Sequence, residues 1–243
     1  AKQLFFTSCG TEGDNWAIQS ALEVNRRRGK HIITTAIEHA AVLEPCRELE
    51  RRGYEVTYLE PDRQGNITAA QVEEAMRPDT ALVSMMLVNN ELGAILPVGE
   101  VAQVIRRTGC PALLHCDAVQ GFLKIPFSPK KLGVDLLTVS GHKIHAPKGV
   151  GALYVRKGLK LPPLIWGGGQ EEGLRSGTEA TAQIAAFAAA ARLGRQTLEE
   201  DMAHMARLKE DTVRRLAEEV PKAKLLAQGG APHILAISLV GYK

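Results

Sequence analysis

A lysine in an unusual setting is the residue with the clearest chemical potential in this sequence. Lys143 follows the apolar segment Leu136–Val139 and stands among small and polar residues, in the run Ser140-Gly141-His142-Lys143. A lysine amine in such a loop can attack a carbonyl carbon and form a Schiff base, and Ser140 and His142 could bind a phosphate beside it. An ordinary surface lysine is the alternative, but the flanking residues favour the chemical interpretation.

Three more residues could serve a flat ring that contains a nitrogen atom. Asp117 ends a predicted strand, where its carboxylate can pair with a protonated ring nitrogen, and Gln120 could donate to a neighbouring ring oxygen. His39 directly follows another predicted strand and could stack on the ring or transfer protons. Structural alternatives stay open, because Asp117 and His39 also suit the caps of helices, and His39 could be a core histidine.

Groups suited to a phosphate follow the first predicted strand. Gly10 allows the backbone to approach a ligand closely, and Thr11 and the free N–H groups of a starting helix could cradle an anion. An ordinary N-cap explains the same residues. Asn90 follows the most apolar strand, where either a ligand or local turn hydrogen bonds would satisfy its side chain. In the glycine-rich run that ends at Thr178, Arg175 and Thr178 could complete an anion site, with a flexible connector as the alternative.

Together these residues supply an amine, a partner for a ring nitrogen, a stacking ring and several phosphate donors, all at predicted strand ends. This set matches one cofactor, pyridoxal phosphate. His142 and His145 form an HxxH pattern, but no further ligands cluster with them, so we expect no metal site. The sequence has four cysteines, Cys9, Cys46, Cys110 and Cys116. Because their spacing is irregular and none forms a CxxC, we expect them to be reduced thiols in a cytoplasmic protein.

The elements that must position these residues alternate between strand and helix. Such alternation predicts a three-layer α/β/α fold with a mostly parallel sheet, in which ligands bind at the carboxyl ends of the strands. Glu12 and Asp14 are expected in the first turn of the first helix, where the helix dipole favours acids. Strands are predicted at 4–6, 31–35, 55–59, 81–88, 112–116, 136–139, 151–155 and 232–240, and helices at 11–28, 40–52, 68–76 and 179–219, with Pro97 at the first position of another helix.

The composition of the sequence changes at about Glu179, where an alanine-rich and charged segment typical of a helix begins. We expect a cofactor-binding large domain over residues 1–195, followed over 196–243 by a linking helix and the incomplete start of a second domain. Apolar residues make up 45% of the 243 residues and charged residues 23%, as in ordinary globular proteins. The net charge of +3 gives no reason to expect nucleic-acid binding, and no apolar run is long enough to predict a membrane span.

Four segments of the sequence resemble a known family. The runs VNNELG (88–93), HCDAVQ (115–120), SGHKIHAPKGVGALYV (140–155) and GGGQEEGLRSGT (167–178) are similar to those of cysteine desulfurases in the class-V aminotransferase-like superfamily. The similarity is closest to the branch of the bacterial iron–sulfur cluster and nitrogen-fixation enzymes. It implies the large domain of a fold-type I pyridoxal-phosphate transferase. Ala146 stands where relatives usually have glycine, and we expect only a local adjustment there.

The resemblance also implies a role for each candidate residue. Lys143 would form the Schiff base with the cofactor, Asp117 would pair with the pyridine nitrogen, and Gln120 would contact the phenolic oxygen. His39 would stack on the ring and assist proton transfer, and Asn90 would help to hold cofactor and substrate. The phosphate would be bound by Thr11, Ser140 and His142, with Thr178 reaching the phosphate of the partner subunit in a homodimer.

The implied reaction converts L-cysteine to L-alanine and passes the sulfur to an enzyme cysteine. From there it would go to an acceptor such as an iron–sulfur scaffold or a tRNA thiolation enzyme. In the family that cysteine lies in a Ser-Gly-x-x-Cys-like loop, and none of the four cysteines has this context. We therefore expect that the chain begins and ends inside the family's sequence, lacks the family's substrate-carboxylate arginine, binds the cofactor and desulfurates poorly. The alternatives are another enzyme of this fold, such as a selenocysteine lyase or an aminotransferase, and a non-catalytic module for dimerisation or scaffold binding.

Overall fold

A seven-stranded, mostly parallel β-sheet forms the centre of the molecule. The computed structural model describes residues 3–239 and 241. In spatial order the strands are β1 (Leu4–Thr7), β7 (Gly151–Val155), β6 (Leu136–Ser140), β5 (Leu113–Asp117), β4 (Thr80–Ser84), β2 (His31–Thr35) and β3 (Glu55–Leu59). Strand β7 is antiparallel to both of its neighbours, whereas the pairs formed among β3, β2, β4, β5 and β6 are parallel.

Helices cover both faces of this sheet, and each face has its own apolar core. The helices are α1 (Gly10–Val24), α2 (Ala40–Arg51), α3 (Ala69–Ala75), α4 (Val98–Thr108), α5 (Pro129–Leu132) and α6 (Thr181–Glu219), and β8 (Ala223–Leu225) pairs with β9 (Ile237–Leu239). Successive residues of a strand face opposite ways. Ile32 therefore belongs to the core beneath α1 and α2, and Ile33 to the core beneath α3 and α4. This arrangement confirms the predicted three-layer α/β/α fold.

Several helix boundaries differ from the sequence prediction by one or two residues, and the carboxyl end of α1 differs by four. The prediction of a helix over 11–28 is wrong at its carboxyl end, because α1 ends at Val24. The side chain of the next residue, Asn25, turns into the protein and donates to the carbonyl oxygens of Ala81 and Pro111, at 2.7 and 3.1 Å. Pro97, predicted at the first helical position, lies one residue earlier, as the N-cap of α4.

Two predicted strands are shorter in the structure. The strand predicted over 81–88 ends at Ser84, although the chain continues beside β5, since the Leu87 N–H donates to the Asp117 carbonyl oxygen at 2.8 Å. The strand predicted over 232–240 is reduced to β9, whose partner β8 was not predicted, and Val240 lies outside the described residues. A strand as short as β8 carries too little alternation to be distinguished from a loop.

Helix α6 runs for 39 residues and passes unbroken through the predicted domain boundary between residues 195 and 196. The division into two domains stays a prediction. Lys209 of α6 donates to the carbonyl oxygens of Gly229 and Ala231, at 2.5 and 3.0 Å, and the Ala231 N–H donates to Gly93 at 2.8 Å. The segment after α6 is thereby attached to the loop that follows β4. Across residues 3–239 and 241, we find no helix with an apolar stretch of the length that a bilayer requires.

The close packing of α1 on β6 depends on Gly13. A Cβ atom at this position would lie 2.7 Å from Cγ2 of Thr138, a buried residue of β6. We expect Gly13→Ala to destabilise the fold by about 1–3 kcal/mol, because the helix must move away from the sheet. Gly99→Ala is the matched control, since the nearest atom to its Cβ is 3.8 Å away. This change in the first turn of α4 should stabilise by up to about 1 kcal/mol. Urea denaturation measures both, and a Gly13→Ala protein as stable as the original would contradict the packing argument.

Candidate active site

The carboxyl ends of β4, β5 and β6 and the first turns of α1 and α2 enclose a cavity of about 340 Å³. Thr178 lies outside this cavity and is exposed. The structure brings the other candidate residues together on its walls, which are Gly10, Thr11, His39, Asn90, Asp117, Gln120, Ser140, His142 and Lys143. Sequence reasoning missed four further wall residues of chemical interest, Cys9, Asp14, Met86 and Val119.

Lys143 reaches the cavity from a tight turn directly after β6. The turn is a 3₁₀ helix, Gly141–Ile144, and it requires glycine at its first position, because a Cβ there would lie 2.9 Å from Cγ1 of Val150. The Ser140 hydroxyl lies 2.9 Å from Nδ1 of His142. Partial desolvation and the charges of Lys143 and Lys148 lower the pKa of His142, so its ring is neutral at pH 7. The amine of Lys143 thus stands beside hydroxyl and imidazole groups that can bind an anion.

The two histidines of the HxxH pattern in this turn lie in different places. His142 lines the cavity, whereas His145 is not among the residues of its wall. Within residues 3–239 and 241, we find no group of three or more histidine, cysteine or acidic side chains placed to hold a metal ion.

Asp117 forms the floor of the cavity at the end of β5. Its carboxylate is 6% exposed and accepts a hydrogen bond from the Val119 N–H at 2.8 Å. Burial, together with the nearby carboxylate of Asp14, raises the pKa of Asp117 to about 7. A carboxyl group whose pKa is raised in this way loses its proton more readily when a cation lies against it. A protonated ring nitrogen would supply that cation.

His39 caps a helix and also lies on the cavity wall, where its contact with a ligand stays a prediction. It is the N-cap of α2, and its Nδ1 accepts a hydrogen bond from the Ala41 N–H at 3.1 Å. Since Nδ1 accepts, the hydrogen of the neutral ring is on Nε2. The ring also lines the cavity. Capping therefore fixes the orientation and tautomer of an imidazole that faces the site.

The start of α1 provides room for an anion. A Cβ atom on Gly10 would lie 2.9 Å from Cγ2 of Val119 and 3.4 Å from Cβ of Ser140, so any larger residue would fill the space between α1 and the sheet ends. Cys9 precedes the helix without a side-chain capping bond, and Thr11 follows on the cavity wall. The first N–H groups of a helix have no partner within it and attract negative charge.

The two asparagines after β4 differ in their roles. The side-chain amide of Asn89 is hydrogen-bonded to the protein backbone. Its Nδ2 donates to the Ile37 carbonyl at 2.9 Å, and its Oδ1 accepts from the N–H groups of Glu91 and Leu92. Asn90 instead lines the cavity. Local hydrogen bonding explains the first asparagine, and the second is available to a ligand.

Arg175 does not form the anion site with Thr178 that the sequence suggested. It forms a half-buried ion pair with Glu12, whose carboxylate also accepts from the Ser8 N–H at 3.0 Å. Burial acts to raise the pKa of Glu12, but the hydrogen bonds from Arg175 and Ser8 outweigh it and the pKa is lowered. The pair attaches the glycine-rich segment to the loop before α1.

A lysine, an aspartate and a histidine that converge at the carboxyl ends of a mostly parallel sheet form the arrangement expected in the large domain of fold-type I pyridoxal-phosphate enzymes. The family model described as aminotransferase class V matches residues 1–242, and the chain belongs to that family. Pyridoxal phosphate is the cofactor of these enzymes, as the sequence resemblance implied.

Individual relatives agree with this assignment. The chain is 43% identical over 242 residues to "Cysteine desulfurase IscS" of Klebsiella pneumoniae, which covers 98% of this chain and 59% of that protein. It is 48% identical over 191 residues to "Cysteine desulfurase 2" of Trichormus variabilis, covering 79% of this chain and 47% of that one. A solved "NIFS-LIKE PROTEIN" superposes with a TM-score of 0.93 at 41% identity, covering 98% of this chain and 65% of that one. The chain spans about half the length of the curated relatives that it matches.

The residues of the cavity fit the family's cofactor. The buried carboxylates of Asp117 and Asp14 lie on its wall, and Asp14 Oδ1 has no hydrogen-bond partner in the described structure. A cationic ring nitrogen would compensate this charge. The gap held open by Gly10 at the start of α1 suits a phosphate. Lys143 lines the same cavity as the Ser140 hydroxyl and the His142 imidazole.

Proposed function

We propose that this chain holds pyridoxal phosphate in the cavity with Lys143 as its covalent anchor, and that the whole protein is a cysteine desulfurase. The convergence of Lys143, Asp117 and His39 on one cavity carries the proposal. Asp117 would pair with the ring nitrogen, and His39 would lie against the ring. The phosphate would be held by Thr11, Ser140 and His142, and Gln120 and Asn90 would contact the remaining polar groups of the cofactor.

When bound, the cofactor supplies an electron sink that stabilises negative charge on the α-carbon of an amino acid. The chain's own residues serve that chemistry by position and charge. The buried carboxylate of Asp117 would keep a ring nitrogen protonated. His39 lines the cavity, and the amine of Lys143 can hold a proton at Nζ. The sheet ends and α1 exclude water from the floor, which strengthens each of these interactions.

The cysteines of the chain are poor candidates for the sulfur-carrying thiol. Cys46 and Cys116 are buried, and burial raises the pKa of Cys46 to about 12 and that of Cys116 well above its ordinary value. A buried, protonated thiol cannot act as the nucleophile. Cys9 lines the cavity but directly precedes α1 and does not lie in the mobile loop that the sulfur transfer requires. Cys110 is not on the cavity wall, and its Sγ lies 4.0 Å from the carbonyl oxygens of Arg77 and Thr80. We therefore propose that this chain binds the cofactor but turns over cysteine slowly.

The test is a comparison of turnover with the full-length IscS relative of Klebsiella pneumoniae under identical conditions, following alanine and sulfide from L-cysteine. We expect the chain to bind pyridoxal phosphate and to be slower by about 100-fold or more, since it lacks a suitable nucleophile. Comparable turnover would overturn the second part of the proposal. Alanine formed from selenocysteine but not from cysteine, or transamination of a keto acid, would favour another enzyme of the class.

Two partner proposals accompany the function. We propose a homodimer, in which the exposed Thr178 serves the phosphate of the neighbouring subunit. Exposed apolar side chains near it support this, above all Trp166, which is 82% exposed. Sedimentation velocity tests the dimer, and a monomer at micromolar concentration with cofactor bound would contradict it.

Within the cytoplasm, the sulfur acceptor would be an iron–sulfur scaffold or a tRNA thiolation enzyme.

A further inference from the structure

Asp14 is a buried carboxylate that the sequence placed with Glu12 in the first turn of the first helix. That placement is wrong for Asp14, because of these two acids only Glu12 lies in the first turn of α1. Asp14 is 1% exposed and lies on the wall of the cavity together with Asp117. Its Oδ1 has no hydrogen-bond partner within the described residues and lies 3.5 Å from Nε2 of His115. An unpaired buried carboxylate oxygen is costly unless a ligand supplies its partner.

The neighbour of Asp14 supplies no positive charge. His115 Nδ1 lies 2.9 Å from the Ser84 hydroxyl and its Nε2 lies 3.1 Å from the Thr138 hydroxyl. Burial lowers the pKa of His115 to about 4, so the ring is neutral at pH 7. His115 and Asp117 are two residues apart on β5 and leave the sheet on the same face, which α1 covers. Asp14 therefore faces a neutral imidazole, a second carboxylate and the Thr138 hydroxyl, whose hydrogen bond lowers the pKa of Asp14 but is outweighed by burial.

The charged and titratable groups around this floor come from every element that packs there. Asp14 comes from α1, Glu38 from the β2–α2 connection, and His39 is the N-cap of α2. Strand β5 contributes His115, Cys116 and Asp117, and the turn after β6 contributes His142 and Lys143. His233, from the segment before β9, lies close enough to Lys143 for the lysine charge to help lower its pKa. Burial raises the pKa of Asp14 to about 7 and that of Glu38 to about 8. Lys143, the cation in this set, is exposed, so the buried carboxyl groups have no buried counter-charge among these residues.

We propose that Asp14 is a positioning residue for the ring nitrogen of the cofactor, forming with Asp117 a two-carboxylate site for one protonated aromatic nitrogen. The inference rests on the proposed function and deepens it. Asp117 would contact the nitrogen directly, and Asp14 would act on it through its charge at the floor of the cavity. The pair would also make the affinity for a cationic ring rise with pH, because both carboxyl groups lose their protons near neutrality.

The experiment compares two ligands, pyridoxal phosphate and its analogue with carbon in place of the ring nitrogen, on the original chain and on Asp14→Asn. Dissociation constants are measured by absorption titration from pH 6 to 8. For the original chain, the preference for pyridoxal phosphate over the analogue should increase as pH rises. At pH 8 the variant should bind pyridoxal phosphate about tenfold more weakly, with less than about twofold change for the analogue, and the pH dependence of its preference should flatten.

Glu38→Gln is the matched control, because it removes a buried carboxyl group that does not line the cavity. Equal losses for both ligands in Asp14→Asn would assign a purely structural role and overturn the proposal. The same loss of preference in Glu38→Gln would overturn it in favour of a diffuse charge effect. Asp14→Ser replaces the amide variant if far-UV circular dichroism shows that the latter is unfolded, and a pH-independent preference in the original chain refutes the proposal without any variant. If the original chain binds neither ligand, the proposed function itself fails.

Discussion

The Lys143→Ala protein, mixed with pyridoxal phosphate, will fail to develop the absorption band at roughly 390–430 nm that the original chain should show. The amine of Lys143 is the group on the cavity wall that can bond covalently to the aldehyde of the cofactor. Without it, the remaining contacts hold the ligand only by hydrogen bonds and charge. We expect the apparent affinity to fall by about 100-fold or more.

Lys148→Ala is the matched control for this measurement. Lys148 lies five residues further along, is exposed, and is absent from the cavity wall. Its removal should leave the band and the affinity unchanged. A Lys143→Ala protein that keeps the band, with Lys148→Ala losing it, would show that the wrong lysine has been assigned.

The Asp117→Asn protein should show two effects of opposite sign. Its affinity for pyridoxal phosphate should fall by about 10- to 100-fold at pH 8, because an amide cannot carry the charge that holds a protonated ring nitrogen. Without the cofactor, the variant should be more stable than the original chain at pH 8, by about 1 kcal/mol. The second effect follows from the raised pKa of Asp117, about 7 in the folded protein against an ordinary value of 3.8.

The sign of the stability effect is fixed by proton linkage. A carboxyl group with a raised pKa binds more protons in the folded than in the unfolded state, so it lowers stability as pH rises from about 4 to 7. Removing the charge should therefore stabilise the cofactor-free protein above pH 7 and have little effect near pH 4. Thermal melts at pH 4.5 and pH 8 measure this. The surface variant Asp201→Asn is the control, and a destabilised Asp117→Asn protein at pH 8 with unchanged cofactor affinity would refute the assignment.

Much of the site was predictable because parallel sheets bring strand ends together. Lys143, Asp117 and His39 each follow a strand that can be recognised from its apolar or β-branched residues, and strand ends in such folds share one edge. Local sequence could not decide between a helix cap and a ligand contact for His39. The structure shows that its Nδ1 caps α2 while the residue lines the cavity, so the cap is confirmed and the ligand contact stays a prediction.

The rest depended on contacts between elements that are distant in the sequence. Arg175 pairs with Glu12, more than 160 residues away, and nothing in the glycine-rich run indicates this partner. Asp14 was taken as an ordinary first-turn acid. One available signal was its place in the buried stripe of α1, which continues with Ala17, Ile18 and Ala21. An acid on the apolar face of a helix indicates a functional or paired group.

The most direct test of the cofactor site is to incubate the unaltered chain with pyridoxal phosphate, reduce the adduct with borohydride, and locate the modified residue by peptide mass spectrometry. We expect one major modified residue, Lys143, at close to one cofactor per chain. The labelling should be lost in Lys143→Ala and should not be transferred to Lys148. Labelling spread over several surface lysines, with Lys143 no more modified than the others, would contradict the claim that this cavity is built around it.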